Sequence, residues 1–470
     1  MTAPTNRTAN ATGRSTEGGT ATPSAGIRLR LRAPSRLRNL ELLLLIAACA
    51  INAAAILLVQ LGALGRPDWS LGVFGTVLSL LVLVMHVALR VVASEADPFV
   101  LPIASVLNGL GIAMIYRLDL AEGNEGWGMA SVRQIAWTSI ALMLAIAVIV
   151  LLRNHRVLYR FRLTFALLGI ALLVLPVFFR PVNGANIWVQ LGPFSFQPGE
   201  IGKIALAIFF AGFLVTARDS LSMIGRKVLG ITFPRARDLG PLLVVFAASM
   251  GVLVFQKDLG TALLYFGLFL VMLYVATGRS SWILLGLGLF LGGAFAASRV
   301  LSYVGGRVNA WLDPFATENY SGDGGSYQLV QGLFGLSNGG LTGTGLGLGR
   351  PDITPLAESD YIVASLGEEL GLVGIFAILA LYLLFVSRGF RIGFAGQDDF
   401  GRLLAVGLAF VVGLQVFIVI GGVTRVIPLT GLTTPFLAAG GSSLVANWII
   451  VALLLRLSDT VRHQPKTVIE

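Results

Sequence analysis

The feature that most constrains this chain is a series of twelve apolar segments, each about long enough to cross a membrane. They span residues 41–64, 69–92, 99–116, 135–152, 163–179, 200–217, 240–255, 259–277, 281–303, 361–387, 402–422 and 433–456. A helix needs roughly 20 apolar residues to cross the hydrocarbon core, and only helices and closed barrels satisfy their backbone hydrogen bonds there. The pattern therefore predicts an all-α polytopic membrane protein.

Composition narrows the function classes. The chain is 56% hydrophobic and only 12% charged, whereas a soluble protein is roughly a quarter charged. A single cysteine, Cys49, excludes an intramolecular disulfide or a cysteine-rich metal site. The net charge of +10 is typical of basic cytoplasmic loops and does not require a nucleic-acid partner.

The distribution of basic residues predicts the orientation. Residues 1–38 carry seven arginines among small and polar residues and are typical of a disordered basic tail. With this tail in the cytoplasm, 24 of the 34 Lys and Arg residues fall on the cytoplasmic side, as the positive-inside rule requires. An even number of helices then places the C-terminal tail, 459–470, in the cytoplasm too, and the 304–360 loop outside.

The 304–360 loop is the longest polar interruption, with six acids, two arginines and many glycines. A loop of this length is more often functional than a mere connector. Asp313, Glu318 and Asp323 are its candidates for a general base or for a ligand of a divalent ion that bridges pyrophosphate oxygens. The glycines between 339 and 349 lack the GK[ST] ending of a nucleotide loop, and they fit either an anion-binding concavity or a flexible turn.

Three smaller polar groups each allow two interpretations. Glu200 and Lys203 stand one turn apart at the start of a helix, which fits either an ion pair at the helix end or a site. Lys257 lies in a polar hairpin, where it either belongs to an ordinary turn or offers a cation to a phosphate group. Glu368 and Glu369 are adjacent acids inside an apolar helix, so they indicate either a buried polar network or direct function.

Five motifs resemble the shape, elongation, division and sporulation (SEDS) family in their order and spacing, over residues 100–456. They are NGANIWVQLGPFSFQPGEIGK, QKDLGTA, GGSYQLVQGLFGLSNGGLTGTGLG, ESDYIVASLGEELGLVG and TGLTTPFLAAGGSSLVAN. The resemblance implies a bundle of ten core transmembrane helices in residues 96–458, with one long extracellular loop. Two extra N-terminal helices, in 39–95, precede it here. This layout is similar to the RodA branch of actinobacteria rather than the FtsW branch.

The family's activity implies a peptidoglycan glycosyltransferase in the bacterial cytoplasmic membrane. Such an enzyme polymerises lipid II into glycan strands on the outer face of the membrane, by inverting transfer, for cell elongation and shape. The implied partners are lipid II and a class B penicillin-binding protein with transpeptidase activity. No organic cofactor is implied, and the resemblance allows a divalent cation, Mg²⁺ or Mn²⁺.

The resemblance also implies which residues form the site. Family members usually have Asp-Pro a few residues before Tyr-Gln, so the catalytic aspartate here has either shifted to Asp323 or been replaced by Asp313 or Glu318. We prefer Asp323. Ile187 stands where many members have arginine, which removes one expected phosphate contact. The implied substrate-binding residues are Gln197, Glu200, Lys203, Lys257, Asp258, Tyr327, Gln328, Arg350, Asp360, Glu368, Glu369, Arg425, Ser442 and Ser443.

Three other functions stay open at this point. A septal polymerase of the FtsW type would share every motif. A lipid II flippase or another transporter would explain the helices and the paired acids at 368–369, but not the acid and glycine pattern of the outer loop. A catalytically silent scaffold is compatible with the displaced aspartate.

Overall fold

The computed structural model describes residues 36–68, 72–181, 185–191, 194–222, 227–228, 231–232, 236–320 and 326–463, all within one compact unit. Most of the predicted basic tail, 1–38, and the last seven residues of the C-terminal tail lie outside the described residues. So does Asp323, the preferred catalytic carboxylate.

Helices make up nearly all of the described regular structure. They are α1 Arg36–Leu64, α2 Gly72–Val92, α3 Val100–Glu122, α4 Ala130–Leu151, α5 Arg156–Arg160, α6 Arg162–Val174, α7 Pro198–Ser222, α8 Ala236–Phe255, α9 Leu259–Thr277, α10 Ser281–Val300, α11 Ser302–Leu312, α12 Thr317–Tyr320, α13 Tyr327–Gly339, α14 Ile362–Ala395, α15 Asp399–Val423 and α16 Gly441–His463. Two antiparallel hairpins pair β1 (Val189–Leu191) with β2 (Phe194–Phe196), and β3 (Lys227–Val228) with β4 (Ile231–Thr232).

Ten of the described helices are long and apolar enough to cross a membrane. Two shorter apolar helices, Arg162–Phe178 and Leu243–Phe255, occupy the fifth and seventh predicted segments. The expected all-α, multi-pass membrane architecture is therefore confirmed.

The helices form an inner and an outer set. In the most apolar part of α3, α15 and α16, 94%, 72% and 83% of residues are buried, whereas the values for α1, α2 and α10 are 22%, 22% and 6%. Large apolar side chains exposed on this outer set suit contact with lipid. Polar groups carried by the inner set are therefore shielded by protein.

Residues 424–440, which we name the hinge segment, correct one prediction. The apolar run 433–456 was expected to be helical throughout, but α16 begins only at Gly441. Gly431 and Phe436 adopt positive φ angles of 77° and 65° in the segment before it, and Pro435 lacks an amide donor. Irregular backbone at this depth is tolerated where protein surrounds it, so the hinge segment marks a place where polar groups gather.

Candidate functional site

The hinge segment joins several helix ends at one end of the bundle. The backbone amide of Gln197, just before α7, donates to the Ser442 hydroxyl at 2.8 Å. The Thr433 hydroxyl donates to Ser443 Oγ at 3.1 Å. The predicted residues Gln197, Ser442 and Ser443 are thus brought together around backbone that is not helical.

Glu200 and Lys203 form a buried ion pair. Lys203 Nζ lies 2.6 Å from Glu200 Oε2 and 3.0 Å from Gln415 Oε1, and only 1% of Lys203 and 5% of Glu200 is exposed. Gln415 Nε2 then donates to the carbonyl oxygen of Thr433 at 2.8 Å. A buried pair is tolerable when further hydrogen bonds satisfy it, and here those bonds tie α7 and α15 to the hinge segment.

Two carboxylates near this pair are electrostatically linked through Arg307. Burial raises the pKa of Asp360 from 3.8 to about 6, against the opposing charge of Arg307. Burial also raises the pKa of Asp258, although hydrogen bonds from Thr261 and the charge of Arg307 lower it. Arg307 also donates to the carbonyl oxygen of Thr430 at 3.0 Å, so it is tied to the hinge segment while its charge acts on both acids.

Asp258 also has a structural role. Its carboxylate accepts a hydrogen bond from the amide of Thr261 at 2.9 Å and caps the N-terminus of α9, a position that favours Asp. Asp360 makes no hydrogen bond or ion pair with any described residue. Asp360 is therefore the half-buried acid of this cluster that is available to a ligand.

The predicted cations differ in their surroundings. Lys257 is exposed and lies over the ring of Tyr303 at 5.9 Å. Arg350 is exposed and paired with Asp352 at 3.3 Å. Arg425 donates to two carbonyl groups at the C-terminal end of α11, at 2.8 and 2.7 Å. Arg425 therefore fixes α11 to the hinge segment, while Lys257 has no acidic partner within the described part of the chain.

The predicted residues of the 304–360 loop are exposed or half-buried, except Asp323, which is not among the described residues. Asp313 is exposed at the end of α11, and its carboxylate bonds to no described residue. Tyr327 is 40% exposed and packs edge-on against Tyr320 at 5.4 Å. Gln328 is half-buried in the first turn of α13. Asp323 is not among the described residues, so its role as the catalytic base stays a prediction.

Glu369 belongs to a second polar cluster. Its Oε1 accepts from Arg117 at 3.0 Å and its Oε2 from the amide of Gly347 at 2.8 Å. Arg117 also donates to the carbonyl oxygen of Gly349 at 2.6 Å. This ion pair therefore holds residues 340–349, the glycine-rich loop, against α14.

Glu368 completes that cluster. We name the group formed by Arg117, Asn338, Glu368 and Glu369 the loop clamp. Its Oε1 accepts from the Asn338 side chain at 3.0 Å and from the amide of Arg350 at 2.9 Å. The helix α14 is interrupted at Gly371, where φ is 68°. The next two amides, beginning with Leu372, donate to carbonyl groups of the glycine-rich loop at 3.0 and 3.1 Å. The paired acids thus form a buried polar network.

The described side chains do not form a recognisable metal site. No group of three or more His, Cys, Asp and Glu side chains among the described residues is arranged to hold a metal ion. A divalent cation stays an expectation of the resemblance, and no step below depends on one.

Sequence reasoning missed two residues of the site. Arg307 entered only the charge balance, although its charge opposes the rise in pKa of both Asp258 and Asp360. Gln415 stands inside the apolar helix α15 and is fully buried. A polar residue within a spanning segment is by itself a functional signal, so Gln415 could have been detected. Arg307, in α11 outside the spanning segments, carried no such signal.

Comparisons with known proteins identify the family. The family model FtsW/RodA/SpoVE, a cell cycle protein family, matches residues 97–463. Peptidoglycan glycosyltransferase RodA of Mycobacterium tuberculosis (strain ATCC 25618 / H37Rv) is 46% identical over 440 residues, which is 92% of this chain and 93% of that protein. The RodA of Mycobacterium leprae is 45% identical over 92% of each chain. A probable peptidoglycan glycosyltransferase FtsW of Geobacter metallireducens is 31% identical over 78% of this chain and 96% of its own.

Solved structures show the same fold. A chain of a peptidoglycan synthase complex that coordinates polymerization and crosslinking has a TM-score of 0.60 and 25% identity, covering 78% of this chain and 99% of that one. A mutant of the rod shape determining protein RodA of Thermus thermophilus has a TM-score of 0.54 and 25% identity, covering 79% and 99%. The chain therefore belongs to the FtsW/RodA/SpoVE family.

Proposed function

We propose that this chain is a peptidoglycan glycosyltransferase of the RodA type, which polymerises lipid II on the outer face of the bacterial cytoplasmic membrane during elongation. The observation that carries this proposal is the buried polar cluster around the hinge segment, in a chain 46% identical to RodA enzymes over 92% of its length. The relative named FtsW has only 31% identity, which favours elongation over septal synthesis.

The proposed reaction is an inverting glycosyl transfer. The 4-hydroxyl oxygen of an acceptor N-acetylglucosamine forms a bond to the anomeric carbon of the donor, and the bond from that carbon to undecaprenyl pyrophosphate breaks. A carboxylate takes the proton of the hydroxyl, as a general base does when its pKa suits the working pH. The resemblance assigns this role to Asp323, with Asp313 or Glu318 as the alternatives.

The described residues support the binding half of the reaction. Lys257 is exposed and without an acidic partner among them, so this cation is suited to the pyrophosphate of the leaving group. Asp360, with a pKa of about 6, is suited to accept a hydrogen bond from a sugar hydroxyl. Lys203 is buried and bonded to Glu200 and Gln415, so it acts by holding the hinge segment in place.

Orientation and partner belong to the same proposal. The positive-inside rule supports two cytoplasmic termini and an outer 304–360 loop. The similarity to a chain of a synthase complex that coordinates polymerization and crosslinking supports a crosslinking partner, which we take to be a class B penicillin-binding protein.

Labelled lipid II and the purified full-length protein test the proposal. We expect the wild type to make glycan polymer, and Asp323→Ala to lose at least 100-fold in rate, within the range for removal of a general base. Asp313→Ala and Glu318→Ala test the two alternative bases of the same loop. Retained activity in Asp323→Ala with loss in Asp313→Ala would move the base to Asp313. Lipid II translocation without polymer would replace the proposal with a flippase.

A further inference from the structure

Helices α1 and α2 precede the stretch matched by the family model, 97–463, and their residues contribute nothing to the polar cluster described above. We propose that this N-terminal hairpin is a positioning element: the C-terminal end of α1 holds the glycine-rich loop in the place where the loop clamp can engage it. The inference rests on the proposed function only for its activity readout.

The contact is between two backbones. A Cβ atom at Gly62 of α1 would lie 2.4 Å from the carbonyl oxygen of Leu346 and 2.9 Å from Gly347 Cα. A Cβ atom at Gly347 would in turn lie 2.7 Å from the carbonyl oxygen of Val59. No side chain fits on either face, and Gly347 has a φ of 85°, which disfavours other residues. Both glycines are therefore required for this approach.

An apolar contact supports the same junction. Val59, Ile112, Tyr116 and Ile135, from α1, α3 and α4, form a small buried cluster that is separate from the main core, and Leu346 of the loop packs against it. Leu346 is half-buried at this contact. The loop is thus anchored by a side chain on the same face that touches α1.

Gly347 links this contact to the clamp. Its amide donates to Glu369 Oε2 at 2.8 Å, while its other side touches α1. Glu369 holds Arg117, and the neighbouring amides of Thr344 and Gly345 donate to the carbonyl groups of Glu368 and Glu369 at 3.0 and 2.9 Å. The loop is therefore held between α1 on one side and the first turns of α14 on the other.

This arrangement reaches the candidate site through α14. Asp360 stands two residues before the first residue of that helix, and the carbonyl group of Glu358 accepts from the amide of Ala439 in the hinge segment at 2.8 Å. A displaced loop would release the amides that follow Gly371 and the bonds to the carbonyl groups of Glu368 and Glu369, which would loosen the part of α14 that precedes the interruption. The hairpin thus acts on the reaction by positioning, without touching the substrate.

The hairpin is itself held firmly enough to do this. Asn52 Nδ2 of α1 donates to the carbonyl oxygen of Ser105 in α3 at 2.9 Å, and Gly109 leaves the space that the Asn52 side chain fills. Gln60 makes two hydrogen bonds to the backbone of Asp68, at 2.8 and 3.1 Å, which closes the end of α1 next to Gly62.

The test compares Gly62→Ala with Gly75→Ala in the full-length protein. Gly75 lies in α2, where an added Cβ would have no atom within 4 Å, so it is a matched control in the same hairpin. Hydrogen exchange of peptides from the glycine-rich loop is the primary measurement, because it does not depend on activity. We expect at least threefold faster exchange in Gly62→Ala and wild-type exchange in Gly75→Ala.

Lipid II polymerisation is the second measurement. We expect kcat to fall at least fivefold in Gly62→Ala while KM for lipid II stays within twofold, because the loop holds the start of α14 and does not bind substrate. Leu346→Ala, which removes the loop's own anchor and leaves α1 unchanged, should show the same local exchange and the same fall in kcat.

Unchanged exchange of the loop in both Gly62→Ala and Leu346→Ala would overturn the inference. Faster exchange throughout α3 and α4 would overturn it too, because the hairpin would then stabilise the bundle as a whole. A wild-type protein that makes no polymer would defeat the proposed function but leave the exchange test intact.

Discussion

The candidate site and the loop clamp both bury acids beside cations around the start of α14, yet their hydrogen bonds differ. In the clamp, both oxygens of Glu369 are occupied, one by Arg117 and one by a backbone amide. In the site, Asp360 bonds to no described residue and burial raises its pKa to about 6. A buried carboxylate that is fully bonded stabilises structure, and one left unbonded is available for chemistry.

Removing one partner should lower the folding stability more in the loop clamp than in the candidate site. Glu369→Ala leaves Arg117 Nε and the amide of Gly347 without their acceptor in a buried place, and removes the negative charge that pairs with Arg117. Breaking a buried pair costs about 3–5 kcal/mol, so we expect a large fall in the melting temperature and poor recovery of folded protein. Thermal unfolding in detergent measures this, with Glu369→Gln as the milder control because its amide oxygen still accepts. A Glu369→Ala protein that melts with the wild type would show that the clamp is not structural.

The site should show the opposite behaviour. Asp360→Asn keeps the shape of the side chain but removes a charge that burial disfavours, so we expect an unchanged or higher melting temperature. Polymerisation should fall about 10–100-fold, because a hydrogen bond to a charged group contributes about 1.5–3 kcal/mol. Glu125→Gln, an exposed acid in the turn between α3 and α4, is the control. Wild-type activity in Asp360→Asn would remove this residue from the site.

The two regions also differ in how much of each was predictable. The helices follow from apolar runs, because a spanning segment must satisfy its hydrogen bonds internally. The hinge segment was misassigned because its apolar residues resemble the start of a helix, while the polar partners that stabilise its irregular backbone come from α7 and α15. The glycine-rich loop posed the same problem, since Arg117 and Glu369 are remote in sequence. The acids of the clamp were noticed, but their role depended on partners that only the fold brings together.

The pH dependence sharpens the comparison further. The pKa of Asp360 is higher in the folded chain, about 6, than its ordinary value of 3.8. Between these pH values the folded state therefore binds more protons than the unfolded state, and stability falls as the pH rises through this window. We expect the melting temperature of Asp360→Asn to match the wild type near pH 4 and to exceed it above pH 7, by roughly 1–4 °C.

The wild-type polymerisation rate should titrate in the same range. If ionised Asp360 binds the sugar, kcat/KM halves near pH 6 and falls about tenfold by pH 5. Asp360→Asn should lack this step while keeping any titration due to Asp323. A wild-type profile that is flat from pH 5 to 7 would separate Asp360 from the reaction.

The smallest effect is expected at the exposed edge of the site. Lys257 lies in water over Tyr303, where an ionic contact contributes only about 0–1 kcal/mol before a ligand arrives. Lys257 has a positive φ of 60°. Lys257→Asn introduces a residue type that tolerates this conformation, so folding should not change. We expect KM for lipid II to rise about 3–10-fold with kcat nearly constant, since a charge that contacts the pyrophosphate in both ground and transition state adds uniform binding. Lys257→Arg should restore most of the affinity. If Lys257→Asn instead lowers kcat at unchanged KM, Lys257 acts on the leaving group only as the bond breaks. Exposed charges would then not be limited to substrate binding at this edge of the site.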